Sequence, residues 1–170
     1  MAKTPKAKPE PIEEPESLTA SLERAAKGDV DPKLSVSLVV AGGAPSQRYH
    51  FDLAASGSGE VRTEFGDERS DRRGKARERK LDETQFAEHV RAILASGVLE
   101  TPTEMPRFLP DTVVGILELA DATSRRRWYF AADPEQARSQ GAIPPPALVK
   151  AADAIFALGG KVMGKGSVKP

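Results

Sequence analysis

Residues 34–53 read LSVSLVVAGGAPSQRYHFDL and contain two runs in which apolar and polar side chains alternate. In the first run Leu34, Val36 and Leu38 are separated by serines, and in the second run a charged residue separates Phe51 from Leu53. A β-strand points successive side chains to opposite faces, so each run has one apolar face and one polar face. The Gly-Gly-Ala-Pro turn between the runs therefore predicts an antiparallel hairpin with one face exposed to water.

The rest of the chain continues with three further strands and four helices. Alternation predicts strands through residues 61–65, 112–120 and 125–131, and a proline-rich connection, TPTEMPRFLPD, leads into the second of these. Capping residues and helical spacing predict helices over residues 17–28, 82–97 and 133–141, and a final helix that Pro144 to Pro146 open and Gly159-Gly160 end. Because the strand connections are of hairpin length, we predict an α+β fold: an antiparallel sheet of about five strands with helices packed on one face.

The helix over residues 82–97 has the clearest boundaries. Asp82 is suited to cap its first turn, and Gln85 can complete a capping box. Leu81 can pack against Phe86 as a hydrophobic staple. Gly97 predicts the end of the helix.

The two ends of the chain differ in composition from its middle. Residues 1–16 hold four Pro, three Lys and four Glu, and offer too little apolar surface to offset the entropy of ordering. We therefore expect a disordered tail over residues 1–16, a single α+β domain over residues 17–160 and a frayed C-terminal tail over residues 161–170.

The sequence also predicts a location for the protein. No apolar run approaches the roughly 20 residues that span a bilayer, and the first residues lack the apolar segment of a secretory signal. The chain contains no Cys, which excludes disulfides, thiolate metal sites and cysteine nucleophiles. We expect a cytoplasmic protein without membrane association.

Residues for catalysis and for cofactor or metal binding are scarce. The only two histidines are His50, expected on the polar face of a strand, and His89, expected beside the apolar stripe of a helix. No nucleophile elbow and no phosphate-binding glycine pattern is present. We therefore predict no catalytic residues, no metal and no cofactor, and favour a protein that is not an enzyme. A hydrolase that uses two carboxylates from separate segments stays open as an alternative.

Residues 66–80, GDERSDRRGKARERK, form the most basic stretch of the chain, with seven Arg or Lys and four Asp or Glu. A phosphate-binding surface needs basic groups on one face with few acids, often with aromatic side chains for bases to stack on. This stretch has interleaved acids and no aromatic residue. We favour the solvated end of a hairpin, and keep Arg72 and Arg73 as candidate nucleic-acid contacts.

A second basic cluster, RRRWYFA, occupies residues 125–131. On a strand, Arg125, Arg127 and Tyr129 share one face, and Trp128 lies on the other. We favour the interpretation that Trp128 and Phe130 belong to the core and that the arginines protect a sheet edge from aggregation. The alternative is that Arg125, Arg127 and Tyr129 bind an acidic partner or RNA.

Several segments between residues 34 and 160 resemble the emfourin family, small protein inhibitors of thermolysin-like metallopeptidases. The resemblance rests on VVAGGAPSQRYHFDL, on a helix closed by SGVLETP, on the strand PDTVVGILEL, on a basic returning strand and on a proline-initiated terminal helix. The long charged stretch at residues 66–80 and the added N-terminal tail and helix depart from the family pattern. The resemblance implies a non-catalytic binding protein that acts as a peptidase inhibitor or regulator, and it implies no particular functional residues.

These observations lead to one main functional hypothesis and two alternatives. The main hypothesis is a non-catalytic protein-binding module that acts through a protein partner, because exposed loops rich in Gly, Pro and charge commonly carry binding functions. The first alternative is a nucleic-acid-binding protein that uses the arginine-rich loop and strand. The second is an enzyme based on carboxylates.

Overall fold

A computed structural model of the protein describes residues 17–43, 49–67 and 76–163. The helices are α1 (Leu18–Ala26), α2 (Glu83–Ala95), α3 (Pro134–Ser139) and α4 (Pro146–Met163), with a 3₁₀ turn at Val98–Glu100. The strands are β1 (Ser35–Gly42), β2 (Tyr49–Ser56), β3 (Glu60–Asp67), β4 (Arg77–Lys80), β5 (Val113–Ala120) and β6 (Arg125–Ala131). The predicted tail over residues 1–16 lies outside the described residues, and the predicted domain boundaries stay predictions.

The strands form one antiparallel sheet in the order β4-β3-β2-β1-β5-β6. The helices pack against the sheet, so the predicted α+β class is confirmed. The strand number differs from the prediction, because Arg77–Lys80 of the charged stretch forms a sixth strand that pairs with β3. This strand lies at an edge of the sheet, where charged side chains stay hydrated and discourage pairing with other chains.

A row of buried side chains crosses four neighbouring strands of the sheet, β2, β1, β5 and β6. Leu53, Leu38, Leu117 and Trp128 are successive cross-strand partners, and each is at most 3% exposed. Helix α4 contacts β1 to β4 over this face, α2 packs on α4, and α1 packs on α2. The alternation of residues 34–53 therefore defines the core face as predicted.

Two glycines are required by the packing of this face. A Cβ atom at Gly115 would overlap the ring of Phe130, its cross-strand partner, so the ring occupies the space that a side chain would take. A Cβ atom at Gly159 would overlap Leu53, so this glycine lets α4 approach the sheet closely. Helix α4 accordingly continues through Gly159 to Met163, beyond its predicted end.

The predicted helix caps are confirmed. Asp82 Oδ1 accepts a hydrogen bond from the Gln85 backbone N–H over 2.8 Å, and the Gln85 side chain accepts from the Asp82 N–H over 3.4 Å. Leu81 and Phe86 are both buried, as a hydrophobic staple requires. Gly97 follows α2 with a positive φ of 77°, a conformation that glycine adopts at little cost.

In the part of the chain that the structure describes, no helix could cross a membrane.

Asp121 organises the turn between β5 and β6 and ties this turn to α1. Its Oδ1 accepts from the backbone N–H groups of Thr123 and Ser124, each over 2.8 Å, and its Oδ2 accepts from the Ser21 hydroxyl over 2.9 Å. Burial raises the pKa of the Asp121 carboxyl, but hydrogen bonds from the Thr123 and Ser124 backbone and from the Ser21 and Thr123 hydroxyls outweigh it. They lower the pKa from 3.8 to about 2.

We expect the Asp121 carboxylate to stabilise the fold in a defined pH range. Its pKa is lower in the folded state, so its contribution of roughly 2 kcal/mol is complete above about pH 4 and is lost as the pH falls through about 2. Urea unfolding of the wild type and Asp121→Asn between pH 2 and pH 7 should show a stability difference that disappears at the acidic end. A difference that is independent of pH would contradict the assigned hydrogen bonds.

Candidate protein-binding surface

The first predicted binding residues, Arg72 and Arg73, lie outside the described residues. The flanks of their stretch form the end of β3 and the whole of β4, so the stretch connects two strands of a hairpin. The residues on both sides of the stretch therefore form the paired strands of the predicted hairpin. Nucleic-acid binding by Arg72 and Arg73 stays a prediction.

The second group, Arg125, Arg127 and Tyr129, comes together on the sheet face opposite the core. These residues alternate with the buried Trp128, and Glu118 of β5 is the cross-strand partner of Arg127. Arg127 donates from Nε to Glu118 Oε2 over 2.8 Å and makes a second bond to the same oxygen from Nη2. Arg125 Nε lies 3.5 Å from Glu118 Oε1, and Arg127 Nη1 donates to the Tyr129 hydroxyl over 3.4 Å.

Glu118 reduces the capacity of these arginines to bind a phosphate. The strongest phosphate contacts use two parallel N–H groups of one guanidinium, and Arg127 already directs Nε and Nη2 at Glu118. The pKa of Arg127 is raised by its hydrogen bonds to the Tyr129 hydroxyl and to Glu118, so Arg127 keeps its charge. The arrangement supports the interpretation of a protected edge strand better than that of an RNA surface.

Arg126 lies on the core side of β6. Its guanidinium carbon is 5.0 Å from the centroid of the Trp128 ring, and its Nη1 donates to the Leu99 carbonyl over 2.7 Å. The cation–π contact and this hydrogen bond use its charge within the fold. Arg126 therefore does not add its charge to the opposite face of β6, which carries Arg125 and Arg127.

The two histidines lie in different parts of the fold. His50 lies on β2 and faces away from the core, whereas His89 lies on α2 in the helical layer. Asp52 and Glu64 are cross-strand partners on the same uncovered face as His50, and Arg62 lies 3.6 Å from Glu64. Within the described ranges, no group of three His, Asp or Glu could hold a metal ion.

A different surface feature is the connection between α2 and β5, residues 101–111, which we name the proline-rich loop. Residues 102–109 form neither helix nor strand, and every residue from 102 to 111 is exposed except Phe108, which is half-buried. Two large apolar side chains point into solvent, Met105 with 66% and Leu109 with 61% of the surface exposed. The sequence marks this loop as a proline-rich connection and carries no motif that assigns it a role.

The first end of the proline-rich loop is fixed to strand β6. Thr101 is buried, and its carbonyl accepts a hydrogen bond from the Trp128 indole Nε1–H over 2.9 Å. Two residues earlier, the Leu99 carbonyl accepts from Arg126. A buried hydrogen bond between an indole and the backbone is costly to break, because its carbonyl would lose its partner without gaining water.

The second end is fixed by two glutamines of the α3 region. The side-chain amide of Gln136 donates to the Asp111 carbonyl over 3.2 Å and accepts from the Val113 N–H over 2.8 Å. Gln140 accepts from the Leu109 N–H over 3.5 Å. Asp111 itself has a φ of 65°, an uncommon conformation for a residue other than glycine, which these bonds help to hold.

A third exposed apolar side chain lies close to Gln140 in the chain. Ile143 follows α3 by a few residues and exposes 69% of its surface. Gln140, which accepts from the Leu109 N–H, precedes Ile143 by three residues in the chain. The proline-rich loop itself is the candidate binding surface.

Comparison with known proteins adds no assignment to this surface. No protein-family model matches the chain, and no curated protein matches it. The resemblance to emfourins therefore stays a prediction.

Proposed function

We propose that the protein is a non-catalytic protein-binding module that presents the proline-rich loop to a partner protein. The observation that carries the proposal is an exposed segment without secondary structure whose two ends are fixed by Trp128 and by Gln136. A segment held in its binding conformation loses less conformational entropy when it binds. Functional segments are commonly loops of this kind on a rigid scaffold.

The chemistry of the loop favours a protein over a nucleic acid. Two of its exposed large side chains, Met105 and Leu109, are apolar, and such side chains act as anchors in pockets of a protein partner. Its charged residues are Glu104, Arg107 and Asp111, with a formal sum of −1. A phosphate backbone would find no excess of positive charge here.

We further propose that the partner is a metallopeptidase of the thermolysin type, which the protein inhibits or regulates. The resemblance to emfourins motivates this choice, and the form of the loop supports it. Exposed loops are the segments that peptidases reach in folded proteins, and here such a loop offers bulky apolar side chains. A cytoplasmic location is part of the same proposal, and the absence of Cys supports it.

Titration of thermolysin with the protein tests this proposal. We expect peptidase activity to fall to a plateau as the protein is added, with a complex that co-elutes in size-exclusion chromatography. A heat-unfolded sample is the control, because it has the same sequence without the preformed loop and should be digested. Full peptidase activity and no complex at micromolar concentrations would contradict inhibition of this class of enzyme.

A further inference from the structure

The most exposed large apolar side chains share a feature of sequence. Among the described residues, the three with the greatest exposure are Ile143, Met105 and Leu109, with 69%, 66% and 61%. Each is followed directly by proline, at positions 144, 106 and 110. None of the three lies in a helix or a strand.

Phe108 provides the contrast within the same loop. It is the large apolar residue of the loop that is not followed by proline, since Leu109 comes next. It is also the residue of the loop between positions 102 and 111 that is half-buried. In this loop, the bulky side chains that a partner can reach are therefore the ones that precede a proline.

This pairing bears on how a peptidase would act on the loop. Peptide hydrolysis adds water across the C–N bond: the carbonyl carbon gains the hydroxyl group, and the nitrogen gains a proton and leaves as an amine. Endopeptidases that bind a chain in extended form use its backbone N–H and C=O groups as a strand would, and place a side chain next to the cleaved bond in a pocket. Proline has no backbone N–H, and its ring fixes φ.

Proline after a bulky residue hinders cleavage on either side of that residue. If Met105 supplies the carbonyl of the cleaved bond, the bond is the tertiary amide to Pro106, whose ring nitrogen would have to leave. If Met105 supplies the nitrogen, Pro106 comes next and lacks the N–H that would bind the enzyme. The same reasoning applies to Leu109 and Pro110.

We propose that Pro106 and Pro110 prevent an endopeptidase that engages Met105 or Leu109 from hydrolysing the proline-rich loop. This inference rests on the proposed function for the class of partner, and it assigns the two prolines a role in that site. The fixed ends contribute to the same outcome. A cut between Thr101 and Asp111 would leave both new ends held, by Trp128 and by Gln136, so the fragments would not separate.

The test uses three single variants of the full chain and thermolysin as the probe. Pro106→Ala and Pro110→Ala each restore an N–H group after an exposed bulky residue. Pro102→Ala is the matched control, because it makes the same chemical change in the same loop after Thr101, which is buried and not bulky. Mass spectrometry of intact chains and fragments over time gives the rate and the position of cleavage, and thermal melts show whether each variant is folded.

We expect the wild type and Pro102→Ala to stay intact. Pro106→Ala should be cut beside Met105, and Pro110→Ala beside Leu109, at least about tenfold faster than the wild type, which is the effect of one added hydrogen bond. Cuts confined to the loop separate this result from general unfolding, which would give cuts throughout the chain. Two substitutions at separate sites keep the test decisive if one of them impairs folding.

Equal resistance of all four proteins would overturn the inference. Cleavage of the wild-type loop as fast as that of the variants would also overturn it. Inhibition, measured in the same samples, decides the proposed function separately. A wild type that does not inhibit, with variants that are cut only beside Met105 and Leu109, would remove the proposed function and leave the role of the prolines standing.

Discussion

Replacing Trp128 with alanine should lower the free energy of unfolding by about 3–5 kcal/mol, a large part of the 5–15 kcal/mol that stabilises a typical domain. Trp128 is 1% exposed and lies in the central row of the core beside Leu117. Its loss would leave a cavity and would deprive the Thr101 carbonyl of its hydrogen bond. It would also release the first end of the proline-rich loop.

Denaturant unfolding followed by circular dichroism measures this effect, because Trp128 is the only tryptophan and its fluorescence is lost in the variant. Trp128→Phe keeps much of the buried apolar surface but removes the indole N–H, so it should cost less. Tyr129→Ala is the matched control on the opposite face of the same strand, and it should cost less than either. A loss below about 1 kcal/mol for Trp128→Ala would show that the indole does not fill the core, since full burial of such a side chain is worth more.

The parts of the fold that could be predicted are those set by local sequence. The alternation around Leu38 and Phe51 defines both strands of the first hairpin and their core face. The capping box of α2 could be predicted because Asp82 and Gln85 are three residues apart, and the cap needs no distant partner. In both cases the residues that decide the structure lie within one turn or one strand.

Features that depend on distant contacts could not be predicted. Strand β4 contains only charged residues, so it has no apolar alternation, and it exists because β3 offers an edge to pair with. The need for glycine at position 159 of α4 comes from close packing on Leu53, which is far away in the sequence. Glycine usually marks a helix end, and only the packing shows that it is needed here for close approach.

Of the two surfaces considered for binding, the arginine face of β6 could be predicted from the sequence, whereas the anchored form of the proline-rich loop could not. The shared face of Arg125, Arg127 and Tyr129 follows from the period of two and is seen in the structure. The role of Glu118 could also have been found, because a turn that places Asp121 opposite Ser124 places Glu118 opposite Arg127. The sequence indicated a proline-rich connection, but its anchors come from Trp128, Gln136 and Gln140, whose contacts with it span about 25–31 positions and depend on the fold.

The strongest effect on function is expected from the double substitution Met105→Glu and Leu109→Glu. Two exposed apolar anchors would become charged, and burying them in apolar pockets of a partner would leave unpaired carboxylates. We expect affinity for a thermolysin-type peptidase to fall at least about 100-fold. The fold should be unaffected, because both side chains are exposed.

The matched control is Arg125→Ser with Arg127→Ser, which changes two residues on the uncovered face of the sheet. These side chains are exposed, and solvent screens their ion pairs with Glu118, so the fold should persist. Isothermal titration of thermolysin with the wild type and both double variants is the most direct test that the proline-rich loop is the binding surface. The loop variant should lose binding while the arginine variant keeps the wild-type affinity; loss of binding in the arginine variant alone would place the interface on the sheet and contradict the proposed role of the loop.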